Sequence, residues 1–154
     1  MGLDMFLCKI NVADIGRKEP YDYGDPELNE KYRDERWDVP GEEIGYWRKA
    51  NAIHGWFVNK IAGGVDECQR IYVEAEQLAG LLTTAKEAMG RLKARDVSWL
   101  ESNLPPMEGF FFGTYQYDEG YEEDLRNTVV ILEKALTPGA FDPATERFYY
   151  QASW

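Results

Sequence analysis

Three features of the chain predict an α+β domain. Apolar residues alternate near both ends, recur at helical spacing through the middle, and leave strand-like segments separated by helices. The expected architecture is a small, mostly antiparallel three-stranded sheet packed against three main helices. It forms a single domain over residues 1–154, with an acidic insertion or flap at about 13–43. With 44% apolar and 14% aromatic residues, a chain of this length can close around one ring-rich core without disulfides or metals.

The stretch "LDMFLCKINV" is rich in β-forming residues, and Phe6, Cys8, Ile10 and Val12 would share one face, so a first strand is expected over about 3–12. The next region changes character: "RKEPYDYGDPELNEKYRDERWDVPGEE" holds ten acids, five bases and three prolines. Asp25 can cap a helix and Pro26 can occupy its first position, which places a short helix at about 26–36. The rest of this region reads either as solvated loop or as a flap over a site. A second helix is expected over about 43–61, ended by Gly63 and Gly64.

Residues 71–73 look briefly extended. After them Leu78, Leu81, Leu82, Ala85, Met89 and Leu92 form a core-facing helical stripe. Pro105 and Pro106 break the chain, and 110–117 reads as a second strand. "YDEGYEEDL" is an acidic helix start, continued by Tyr121, Leu125, Val129, Leu132 and Leu136. In "ERFYYQASW", Phe148, Tyr150, Ala152 and Trp154 alternate as a third strand. Its place is expected at a sheet edge, where another copy of the chain could pair to give a homo-oligomer.

A formal charge of −11 disfavours direct contact with nucleic acid and leaves room for an acidic surface that docks on a basic partner. No apolar run is long enough to span a bilayer, and "MGLDMFLCKI" lacks the basic start of a signal peptide and the Ser or Thr of a myristoylation signal. The expectation is a cytoplasmic protein with no membrane partner. Cys8 and Cys68 lie too far apart for a local redox or zinc motif, and are expected as two free buried thiols.

One stretch reads as a site. In "GYWRKANAIHGWFV", taken as helix, Trp47, Asn51, His54 and Val58 fall on one stripe, so an amide and the only imidazole share a face with groups that favour burial. Each needs a partner, because an unpaired buried polar group costs about 1–3 kcal/mol. The partner could be a loop carbonyl or a tyrosine hydroxyl, which makes the pair structural. It could instead be a ligand: Arg48 and Lys49 supply positive charge, Tyr46 and Trp47 supply flat faces, and Tyr115 and Tyr117 could add walls. Such a receptor suits a nucleotide or another planar anion. No nucleophile elbow, phosphate loop or zinc-helix motif occurs, so no catalytic residue, metal or cofactor is assigned. The acids at 117–124 lack the spacing of a calcium loop.

Four segments in order, "MGLDMFL", "GYWRKANAIHGWFV", "GFFFGTYQYDEGYEEDL" and "FYYQASW", resemble a family of small proteins found in bacteriophage and prophage genomes. The resemblance spans the chain apart from 13–43 and carries no activity or catalytic residue with it. It implies an accessory role in an infected or lysogenic bacterial host.

Three readings follow. In the first, the protein binds and sequesters a small nucleotide-like signal as a counter-defence device. In the second, it occupies the basic groove of a host defence protein through 19–43 and 118–124. In the third, it is an enzyme acting on a nucleotide, with His54 as acid or base.

Overall fold

The computed structural model describes residues 2–109 and 112–154. In chain order they form β1 (Asp4–Asn11), β2 (Lys18–Glu19), α1 (Pro26–Lys31), β3 (Trp37–Asp38), β4 (Glu42–Arg48) and α2 (Asn51–Trp56), which runs on as a π-turn over Phe57–Ile61. Then come β5 (Ile71–Val73), α3 (Ala75–Lys93), α4 (Val97–Asn103), α5 (Glu119–Ala135) and β6 (Glu146–Ser153).

The class is α+β and the pairing antiparallel, as expected, but the principal sheet has four strands in the order β4-β1-β6-β5, with a separate two-stranded ribbon of β2 and β3. The C-terminal strand, expected at an edge, lies inside the sheet between β1 and β5. Its eight residues pair with β1 along their whole length. One expected ground for pairing between copies is thereby removed.

The expected helix over 43–61 is the main correction. Its first third is β4, because β1 offers a long-range partner: Trp47 pairs with Met5, Tyr46 with Phe6 and Gly45 with Leu7, with a register shift that leaves Ile44 as the extra residue. Lys49, in the left-handed region at φ 55°, turns the chain from strand into helix. The stripe joining Trp47 to Asn51 and His54 therefore does not exist. The proposed 110–117 strand is also absent over 112–117, while Phe110 and Phe111 lie outside the described residues. Helix α4, which no apolar periodicity announces, is started by Asp96, whose Oδ1 accepts from the Trp99 amide.

One face of the sheet carries the core. Met5, Leu7, Trp47, Phe148 and Tyr150 pack beneath Ile53 and Phe57 of α2 and its π-turn, Leu78 and Leu81 of α3, and Leu125 and Leu132 of α5. Helix α5 packs close on β4 at Gly45, where a Cβ would fall 2.4 Å from Ile131 Cγ2, so any larger residue would force Ile131 or the helix to shift. The opposite face holds a smaller cluster of Cys8, Ile10 and Tyr149 with Phe6. The chain crosses that face at Gly41, whose amide donates to the Tyr149 hydroxyl at 2.8 Å. No helix is long and apolar enough to cross a membrane among the described residues.

Candidate functional site

The expected site residues separate into three places. Trp47 and His54 are in the core. Trp47 is 1% exposed, and its indole Nε1 donates to Thr128 Oγ1 at 2.9 Å, which in turn donates to the Asp124 carbonyl. His54 is likewise 1% exposed, with Nδ1 2.6 Å from the Tyr150 hydroxyl and Nε2 3.0 Å from Asp66 Oδ2. One arrangement satisfies every group, with Nε2–H donating to Asp66 and Nδ1 accepting from the Tyr150 hydroxyl. Burial and the nearby Asp66 carboxylate push the Tyr150 hydroxyl well above its ordinary value, so it remains a donor. Trp154 Nε1 donates to the other oxygen of Asp66. Imidazole, phenol and carboxylate thus tie α2 to β6 and to the loop before β5.

Asn51 is also satisfied within the protein. Its Nδ2 donates to the carbonyls of Phe112 and Thr114, at 3.1 and 2.7 Å, and its Oδ1 accepts from the Met107 amide at 3.1 Å. The amide does for Met107 and for 112–114 what a neighbouring strand would have done, and so holds these residues against α2 without a sheet. Phe112 is wedged edge-on against His54, with centroids 5.3 Å apart.

Tyr46, Arg48 and Lys49 reach the surface and line one cleft of about 590 Å³. Asn51 forms part of its wall, and Thr114 and Gln116 face it from the 112–118 segment. The far wall is α5, which adds Asp124, Arg126 and Asn127. Asn127 Nδ2 donates to the Tyr46 carbonyl at 3.1 Å, so helix and edge strand are joined along the cleft. Asp4 steadies the rim: it accepts from the Tyr46 hydroxyl and from Arg48 Nη1, and these two bonds hold its carboxyl below the usual carboxylate range. Burial, assisted by Glu123 and Asp118, pushes the Asp124 carboxyl up to about 7.

Tyr115 and Tyr117 lie in a different place. They line a second cleft with Lys93, Arg95 and Glu101, on the other side of the 112–118 segment. The Tyr115 hydroxyl is spent on the Gly109 carbonyl, at 2.8 Å.

Sequence reasoning missed Arg126, Asn127 and Asp124. On a helix Arg126 reads as the partner of Glu122 four residues earlier, a pair that does form at 3.1 Å, and no spacing connects it to Lys49. Of the two cysteines, Cys8 is buried and burial raises its thiol, whereas Cys68 is half-buried. Among the described residues, no three His, Cys, Asp or Glu side chains stand close enough to hold a metal ion. In comparisons with protein-family models, curated proteins and solved structures, nothing matches the chain.

Proposed function

We propose that the cleft between β4, the 112–118 segment and α5 binds a small planar anion of the nucleotide kind and holds it without turnover. The supporting observation is the meeting of Arg48, Lys49 and Arg126 around one concave surface in a chain of charge −11. A protein so acidic repels anions over most of its surface, and these three cations gather positive charge at one cleft, although Arg48 and Arg126 also touch Asp4 and Glu122, and Glu123 and Asp124 share the lining. Tyr46, 43% exposed at the rim, offers a ring face for stacking, while Thr114, Gln116 and Asn127 supply groups that can donate and accept.

His54 takes no part in this reading, and with its imidazole enclosed the enzyme alternative loses its acid or base. Sequestration of a signal molecule in a phage-infected or lysogenic bacterium, as counter-defence, is the biological role that accords with such a binder.

The test is native mass spectrometry of protein purified from a bacterial host, followed by titration with a panel of linear and cyclic nucleotides. A retained or titrating nucleotide is expected. Arg48→Ala combined with Arg126→Ala should weaken it by about tenfold or more, as removal of charge-assisted hydrogen bonds does. Empty protein that binds none of the panel would overturn the reading.

A further inference from the structure

Residues 13–40 contain no buried residue, yet they form an ordered arm. Its order is local and polar. Asp22 Oδ1 accepts from the Gly24 amide and from Asn29 Nδ2, both within 2.9 Å, and Asn29 Oδ1 accepts from the Tyr23 amide at 2.8 Å. Asp25 Oδ1 caps α1 through the Glu27 amide, and β2 pairs with β3 to close the ribbon.

The arm displays rings rather than hiding them. Tyr21 is 58% exposed and Trp37 52%, their centroids 6.4 Å apart, with Tyr23 and Tyr32 extending the row behind Tyr21. Isolated exposed rings are common. A row of them on an element that buries nothing has no role in the core it leaves behind.

The charge of the arm is one-sided. Residues 13–43 hold eleven acids and five bases. Most of the bases are already engaged: Arg17 lies on Asp14 and Glu19, Arg33 on Glu30 and Asp34, and Lys31 over the Tyr32 ring. Glu27, Glu35 and Asp38 have no ion-pair partner among the described residues.

We infer that the arm is a docking surface for an arginine-rich segment of another protein, seated on Tyr21 and Trp37 between these free carboxylates. Guanidinium groups stack flat on aromatic faces and take carboxylates two bonds at a time, whereas ammonium groups do neither as well. Nucleic acid is excluded as occupant by the sign of the charge. Because the arm is preformed by its own hydrogen bonds, little ordering cost is left for binding.

The test uses the full chain in calorimetric titration at physiological salt with an arginine–glycine repeat peptide and a lysine–glycine peptide of equal length. The arginine peptide is expected to bind about threefold or more tighter. Tyr21→Ala with Trp37→Ala should weaken it by about tenfold. Glu35→Gln with Asp38→Asn should weaken it less, and Arg48→Ala in the cleft should leave it unchanged, which separates this surface from the anion cleft. Absence of binding overturns the inference. So does equal binding of the two peptides together with indifference to loss of the rings, because general charge attraction would then explain everything. A dimer of the native chain that dissociates on loss of the rings would assign the surface to a second copy, and would overturn it too.

Discussion

Helix α2 and the 13–40 arm are both dense in polar and aromatic residues, and they treat them in opposite ways. In α2 the polar groups are enclosed: Asn51 is 5% exposed and His54 1%, and each hydrogen-bonding atom has a partner from a distant part of the chain. In the arm the hydrogen bonds made by its own side chains join near neighbours, the β2–β3 ribbon closes its ends, nothing is buried, and the largest rings face solvent. A polar side chain in a core must be saturated by the protein itself, which leaves it nothing to offer a ligand. Residues with spare capacity are therefore found where burial is incomplete: in the arm, and around the cleft that holds Arg48, Lys49 and Arg126.

The contrast can be broken most forcibly at Asn51. Asn51→Leu keeps the branched heavy-atom shape but strands the Phe112 and Thr114 carbonyls and the Met107 amide, and should cost about 3 kcal/mol or more in denaturant unfolding. A loss under about 1 kcal/mol would show that the amide is not the tie that the structure makes it.

Asp124 is the intermediate case, half-buried in the cleft. The folded chain keeps its proton up to about 7, whereas an unfolded aspartate releases it near 4. Between those values the native state binds more protons than the unfolded one, so this group lowers stability as pH rises through the window. Asp124→Asn should remove that fall, giving a higher melting temperature than the parent above pH of about 7 and little difference below about 4. The same ionisation places a negative charge in the cleft, so affinity for an anion should decline as pH rises through about 7 in the parent and stay flat in the variant. Parallel pH profiles of the two proteins would refute the assignment.

The smallest effect is expected in the arm. Trp37→Ala should change unfolding free energy by no more than about 0.5 kcal/mol, as substitutions outside any core do. A larger loss would mean that the arm contributes to the fold after all.

Several elements were legible from local pattern. The alternation in "LDMFLCKINV" and "ERFYYQASW" marks β1 and β6, the spaced leucines mark α3, and Asp25–Pro26 marks α1, though α1 ends at Lys31 rather than about residue 36. The site was legible only in part. Tyr46, Arg48 and Lys49 do line a cleft, while Trp47, between Tyr46 and Arg48, points the other way because neighbours on a strand alternate faces. Read as a helix, the same residues appear to belong together.

Local pattern, set by residue spacing and caps, determined the α+β class, the acidic character of 13–43 and the need of Asn51 and His54 for partners. Tertiary structure alone decided who those partners are. It placed Tyr150 and Asp66 on the imidazole, brought the 112–114 backbone to the amide, and set Arg126 of α5 across from Lys49. The same long-range pairing with β1 turned 42–48 from helix to strand. The physical reason is range. Caps and periodicity act within a few residues, whereas strand register and helix-on-sheet packing join segments tens of residues apart through contacts that no local spacing records.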